Sequence, residues 1–191
     1  NPLRDQLADQ ILDVERDQVR VLVHDVGGGF GGKNSMFPEY PLCLLAARDL
    51  GRPVKWVGHR ADAFITDFHG RDNIMRAEMA FDDDGYFLAI RVASQADMGA
   101  YIAGRGAVSP VNGMIMLSNC YRIPVMYAEV WARYTNTVPT DPYRGAGRPE
   151  VLFMIERMMD VAADQMGMNR VDLRRRNLIP PDNFPYATPT G

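Results

Sequence analysis

The chain is poor in the residues that build metal and disulfide sites. It has two cysteines, Cys43 and Cys120, and three histidines, His24, His59 and His69, among 191 residues. Two cysteines make neither a disulfide framework nor a Cys-rich iron–sulfur or zinc site, and the histidines have no ligand-like spacing. Such sparing cysteine use fits a reducing cytoplasm, which is the expected compartment. Basic charge is not in excess: 21 Lys and Arg face 24 Asp and Glu, a formal net charge of −3. This argues against nucleic acid as a partner. No apolar run approaches the roughly 20 residues of a membrane span, so no membrane partner is expected. The segment 1–10 is polar with a helical pattern, unlike a signal peptide. What remains is a chain 47% hydrophobic, enough for one globular domain with a substantial core.

Glycine, by contrast, is concentrated. Gly27-Gly28-Gly29-Phe30-Gly31-Gly32-Lys33 holds five glycines in six residues. Such a run costs backbone entropy and makes sense where φ > 0 is needed or where something approaches the backbone closely. It follows a strand-like segment, Val19 to His24, and precedes a helix-like one, Pro38 to Leu50. Strand, glycine turn and helix N-terminus together suit an anionic group. Gly27 to Lys33 fits the P-loop spacing, but Asn34 stands where Ser or Thr would hold Mg²⁺. Gly27, Gly29 and Gly32 fit the dinucleotide spacing, but the next strand-like stretch, Val54 to Val57, ends on no acid, although Arg60 would suit a 2′-phosphate.

The rest of the chain reads as alternating helix and strand signals. Leu3, Leu7 and Ile11 recur every four residues, with Asn1 as N-cap and Pro2 as N1, so the first residue sits at a helix start rather than at a natural protein beginning. Pro38 opens a helix that Gly51 closes. Val19 to His24 reads as a buried strand. Met75, Ala77, Met79 and Phe81, then Leu88, Ile90 and Val92, alternate around Asp83-Asp84-Gly85, a period-2 hairpin. Val125 to Thr135 alternates again. Strands in this order do not extend a doubly wound nucleotide fold. Pro149 starts a helix with Val151, Leu152, Ile155, Met158, Met159, Ala162 and Met166 on its buried face, and Gly167 stops it. The methionine stripe reads as core packing. Asn169 with Asp172 caps a last short helix. The expected fold is α+β, an antiparallel sheet with helices packed on it, over residues 1–179, followed by a proline-rich, unstructured tail, 180–191.

Several motifs occur in order along this frame. The string DVGGGFGGK, a proline-led helix and GRPVKW come first. Asn119-Cys120-Tyr121-Arg122-Ile123-Pro124 follows, then Pro142-Tyr143-Arg144-Gly145-Ala146-Gly147-Arg148-Pro149-Glu150, then Asp172-Leu173-Arg174-Arg175-Arg176-Asn177. Together, from about Leu3 to Ile179, they resemble the molybdenum-binding large subunit of the xanthine dehydrogenase/aldehyde oxidase family. The nearest resemblance is to carbon monoxide dehydrogenase-like large subunits that carry YRGAGRPE.

The resemblance implies a two-layer molybdopterin-binding domain and an oxidoreductase that hydroxylates a carbon centre with oxygen derived from water. The implied cofactor is molybdenum-molybdopterin, in the cytosine dinucleotide form if the source is bacterial, with FAD and 2Fe-2S on partner subunits or domains. The metal is held by the pterin rather than by protein side chains, so backbone amides and small residues must come close to it. Gly29, Phe30, Gly31, Arg144 and Gly145 are the implied cofactor contacts, with Phe30 and Arg144 nearest the molybdenum ligands.

Departures from the family pattern narrow the substrate. Purine-oxidising members have Glu where Asn34 stands. They have Arg where an ungapped count from Cys120 places Asn112, and a stacking Phe where Ala146 stands. Without those three groups most polar recognition of a purine is gone, and xanthine is disfavoured. Gly145 and Ala146 also replace the copper-binding Cys region of carbon monoxide enzymes. An aldehyde or an N-heteroaromatic remains, with Asn34, Asn112 and Ala146 lining its pocket. The family's catalytic glutamate and most pterin contacts are expected in the remainder of the large subunit, so no catalytic residue is expected within this chain. Glu39 and Glu150 read as ordinary first-turn acids. The isolated chain is expected to be inactive. The competing reading is a nucleotide-binding module built on Gly27 to Lys33.

Overall fold

The computed structural model describes residues 2–33 and 35–190. The chain divides into two compact units, Asn1–Asp67 and Phe68–Gly191.

In the first unit, helix α1 (Pro2–Gln6) continues as a π-helical turn over Leu7–Leu12. Leu7 is buried and Leu3 and Ile11 are half-buried, so the expected stripe does turn inward. The expected cap, Asn1, lies outside the described residues. Helix α2 spans Glu39–Leu50, between Pro38 and a left-handed Gly51 whose N–H bonds the carbonyls of Ala47 and Arg48. This is the Pro-start, Gly-stop asymmetry read from the sequence. A further helix, α3 (Arg60–Thr66), has no counterpart in the sequence reading. It opens on a capping box in which the His59 N–H donates to Asp62 Oδ2 at 2.8 Å, with histidine in the usual Ser/Thr position.

Two expected strands are absent. Val19 to His24 and Val54 to Val57 form no strand, and Leu22 and Val23 are 60% and 72% exposed rather than buried. An apolar β-branched run supplies propensity, but a strand exists only with a hydrogen-bonding neighbour. Among the described residues no ladder pairs with either segment.

The second unit carries one three-stranded sheet in the order β1 (Asn73–Phe81), β2 (Phe87–Asp97), β3 (Val125–Arg133). The β1–β2 hairpin is antiparallel, with Ala77 opposite Val92, and turns through Asp82–Tyr86 as read from the sequence. The third strand corrects the expectation. It runs parallel to β2, with Val92 opposite Ala128, so the sheet is mixed rather than wholly antiparallel. Alternation reveals which side chains share a face, not the direction of pairing. The intervening segment 98–124 is long enough for a crossover and contains helix α4 (Val108–Ile115), which the sequence reading also missed.

Helix α5 (Arg148–Met166) lies against β1, α4 and α6 (Arg170–Asn177). Its buried face is Val151, Met154, Ile155, Met159 and Ala163. Met154 and Ala163 were not among the expected core residues, whereas Leu152, Met158, Ala162 and Met166 are half-buried. These side chains meet Ile90 and Val92 of β2, together with Leu117, Tyr121, Ile123 and Leu173. The Asn-Cys-Tyr and Leu-Arg-Arg-Arg motifs meet at Glu156. Tyr121 Oη donates to its Oε1 at 2.7 Å, Asn119 Nδ2 to the same oxygen at 3.1 Å, and Arg174 Nε to Oε2 at 2.8 Å. The tail has some order: a 3₁₀ turn at Pro181–Asn183, and Thr190 Oγ1 donating to the Ile115 carbonyl at 2.9 Å.

Candidate functional site

The two glycine-rich motifs lie in different units. In the first, residues 30–33 form a turn. Phe30 is 54% exposed and takes φ 49°, the left-handed region that few non-glycine residues occupy. Gly28 (φ 104°) and Gly31 (φ 98°) flank it. Their backbone angles require glycine. Gly27, Gly29 and Gly32 differ, since none takes a left-handed φ. A Cβ at Gly27 would meet nothing within 4 Å, at Gly29 only the Lys33 side chain from 3.4 Å, and at Gly32 only the Gly29 carbonyl at 3.8 Å. Neither conformation nor packing among the described residues calls for glycine at these three positions. Their open side leaves room for a group to approach the backbone.

The same loop does not meet the needs of a nucleotide site. Helix α2 starts at Glu39, not at the end of the loop, and among the described residues no strand precedes it. Lys33 is engaged elsewhere, with its Nζ 3.1 Å from Asp67 Oδ2 and 4.5 Å from the centre of the Phe37 ring. A P-loop needs that lysine at phosphate and a strand–turn–helix around it. Asn34 lies outside the described residues.

The second motif sits on a firmly anchored base. Residues 139–142 are buried, and the exposed stretch begins at Tyr143. Asp97, at the end of β2, holds this base. Its Oδ1 accepts from Thr135 Oγ1 at 2.6 Å and from the Gly99 N–H at 2.7 Å, its Oδ2 accepts from Thr137 Oγ1 at 2.8 Å, and its carbonyl accepts from Thr140 Oγ1 at 2.8 Å. Burial alone would raise the Asp97 carboxyl, but the hydrogen bonds from Thr135, Gly99 and Thr137 outweigh it and leave it below the usual carboxylate range. His69 and Asp141 exchange backbone bonds with this run, the Asp141 N–H to the His69 carbonyl at 2.9 Å and the His69 N–H to the Pro139 carbonyl at 3.0 Å.

From that base the chain turns sharply into α5. Gly145 (φ 98°), Ala146 (φ 46°) and Gly147 (φ 92°) are all left-handed. The Ala146 N–H donates to the Tyr143 carbonyl at 2.7 Å, and the Arg148 N–H to the Gly145 carbonyl at 3.2 Å. A Cβ on Gly147 would lie 1.8 Å from the Ser109 carbonyl oxygen, and one on Gly145 2.4 Å from Pro149 Cγ. One on Gly113 would lie 2.9 Å from the Gly147 carbonyl oxygen, so α4 touches the loop backbone to backbone. Asn112 and Ala146 each neighbour this contact in sequence, and both are half-buried. Arg144 is exposed at the crest. Arg148 donates to the Gly145 carbonyl at 3.4 Å and braces the turn.

Sequence reasoning missed one participant, Arg71. Its guanidinium donates to the Arg144 carbonyl, lies 5.1 Å from the centre of the Tyr143 ring, and places Nε 3.4 Å from Glu150 Oε1. No local motif marks it, because its partners lie more than seventy residues away. Among the described residues no group of three or more His, Cys, Asp or Glu could hold a metal ion, and no helix is long and apolar enough to cross a membrane.

Residues 2–178 match the family described as the molybdopterin cofactor-binding domain. The carbon monoxide dehydrogenase large chain of Hydrogenophaga pseudoflava is 37% identical over 181 residues, covering 93% of this chain and 22% of that protein. The subunit gamma of the 6-hydroxypseudooxynicotine dehydrogenase complex of Paenarthrobacter nicotinovorans is 33% identical over 179 residues, covering 93% and 22%. Among solved structures, quinoline 2-oxidoreductase from Pseudomonas putida 86 aligns with a TM-score of 0.94 at 34% identity, over 99% of this chain and 24% of that one. The chain thus spans under a quarter of the length of these relatives. With its α+β fold, its two glycine-rich loops and this match over nearly all of its residues, the chain belongs to the molybdopterin cofactor-binding domain family.

Proposed function

We propose that this chain presents two backbone loops to a molybdenum-molybdopterin cofactor in the large subunit of a molybdenum hydroxylase. The observation that carries the reading is the open side of Gly27, Gly29 and Gly32, where glycine serves neither conformation nor packing among the described residues. A group that must lie against bare backbone supplies the missing reason.

When bound, the cofactor supplies the redox chemistry that oxidises a carbon centre. The chain's part is to hold and orient it. Gly29, Phe30 and Gly31 offer backbone at the first loop. Arg144 offers a cation, and Gly145 close access, at the second. A preorganised positive charge stabilises an electron-rich group without reorganisation. Asn34, Asn112 and Ala146 line the substrate pocket in this reading. Their small or neutral side chains suit an aldehyde or an N-heteroaromatic rather than a purine, and the quinoline-oxidising structural neighbour favours the heteroaromatic. The base that completes the reaction is assigned to the remainder of the subunit. Iron–sulfur and flavin subunits are its electron-transfer partners, and the cofactor takes the cytosine dinucleotide form in a bacterial host. The two free thiols, Cys43 and Cys120, fit a cytoplasmic location.

The test is Gly29→Ala in the full-length protein. The new methyl meets only Lys33 at ordinary contact distance, so thermal stability should be unchanged. Molybdenum content and turnover should fall together. Wild-type molybdenum content and turnover in this variant would remove the first loop from the cofactor site.

A further inference from the structure

Arg71 meets the second loop and the start of α5 at three separate points. It donates to the Arg144 carbonyl, lies against the Tyr143 ring at 5.1 Å, and faces Glu150 Oε1 at 3.4 Å. Its Nη2 also lies 3.6 Å from where a Gly145 Cβ would be. Gly70, just before it, fits under the same ring: a Cβ there would lie 2.6 Å from Tyr143 Cβ. Glu150 belongs to the first turn of α5, its side chain is only 10% exposed, and its second oxygen, Oε2, is buried without a hydrogen-bond partner. A buried carboxylate so incompletely satisfied is a cost to folding. Its Oε1 faces the Arg71 guanidinium, which offsets part of that cost.

We propose that Arg71, held by Glu150, is a positioning residue that fixes the loop backbone from which Arg144 projects. The inference rests on the reading of Arg144 as a cofactor contact. Pinning the carbonyl restrains rotation about the Arg144 Cα–C bond, and with the Tyr143 ring held beside it this fixes where the Arg144 Cα–Cβ bond leaves the loop. A planar guanidinium offers a face to the ring and a fixed fork of N–H donors to the carbonyl and the carboxylate. Lysine keeps the charge and three donors, but as a point charge on a flexible stem it imposes no fixed geometry on the three partners.

The experiment uses the full-length protein carrying Arg71→Lys, which keeps a cation beside Glu150, with Glu150→Gln as a second variant of unchanged volume. In cofactor-free protein, hydrogen exchange is followed at the Ala146 and Arg148 amides, both bonded within the loop. Both variants should exchange there at least about tenfold faster, with residues 138–141, tied to Asp97, unchanged. In loaded enzyme kcat should fall on the order of 10²-fold, the cost of a misplaced contact, with KM little altered. Arg144→Ala serves as the reference. Unchanged loop exchange in both variants overturns the positioning role, whatever Arg144→Ala does. Faster exchange confined to the loop supports that role even if Arg144→Ala keeps normal kcat, an outcome that instead defeats the cofactor reading. Faster exchange across the whole unit would show a merely structural pair and overturn the inference.

Discussion

Asn177 and Phe87 stand ninety residues apart in sequence, and the Phe87 N–H donates to Asn177 Oδ1 at 2.8 Å. The same buried amide donates through Nδ2 to the carbonyls of Gly85 and Leu173 at 2.8 and 2.9 Å. The end of α6 is thereby fastened to the hairpin turn. Asn177→Ala strips partners from the Phe87 N–H and the Gly85 carbonyl. Each buried group left unpaired costs about 1–3 kcal/mol, and the melting temperature should drop by roughly 5 °C or more. Asn177→Asp should be at least as harmful, because it loses the donor and places charge against two carbonyl oxygens. Thermal unfolding followed by circular dichroism decides.

Glycines of equal appearance should behave oppositely. Gly147→Ala drives a methyl to within 1.8 Å of the Ser109 carbonyl at φ 92°. Backbone must shift, and the variant should lose about 3 kcal/mol or more. Gly27→Ala meets nothing within 4 Å and should stay within roughly 0.5 kcal/mol of wild type. Denaturant titration of both variants checks this contrast. Equal stabilities would contradict the loop geometry.

Arg144→Ala in the full-length enzyme should cost on the order of 10²–10³ in kcat, the usual loss for a preorganised electrostatic contact, with little change in stability. Ala146→Phe should raise KM for bulky substrates more than for a small aldehyde, because the ring narrows the pocket. Steady-state kinetics on one small and one bulky substrate separate these effects. Normal kcat in the first variant and no size discrimination in the second would take the loop out of the active site.

Asp97 should contribute to acid sensitivity. Its folded pKa lies below the ordinary carboxylate value, so its stabilisation is complete above about pH 3.9, the unfolded value, and is lost as pH falls through the lower folded value. Asp97→Asn should lower stability at neutral pH and flatten the acid limb of the profile. Urea midpoints measured from neutral to strongly acidic pH would show it. A parallel downward shift at every pH would mean that Asp97 acts by packing alone.

Tyr121 is buried, and burial and then the Glu156 hydrogen bond push its phenol well above the usual tyrosine range. It therefore serves as a neutral donor to Glu156. Tyr121→Phe should cost about 1 kcal/mol, since Asn119 and Arg174 still hold the carboxylate. A loss of several kcal/mol would mean that the three donors act cooperatively.

The sequence alone determined what depends on local chemistry and on whole motifs. Pro38 and Gly51, Pro149 and Gly167, and Asn169 bounded helices because caps and fixed backbone angles act within a few residues. The Asp-Gly turn and its flanking alternation gave away the hairpin for the same reason. The order of motifs from DVGGGFGGK to DLRRRN pointed to the family. Only the tertiary structure decided what depends on partners distant in sequence. It set β3 parallel to β2, left Val19 to His24 and Val54 to Val57 without a ladder, and brought Arg71 to Arg144. It also separated Gly28 and Gly31, which conformation requires, from Gly27, Gly29 and Gly32, which it does not. Strand pairing and ion contact are properties of two segments at once. One stretch of chain carries its propensity, but its partner is chosen only by the fold that delivers it.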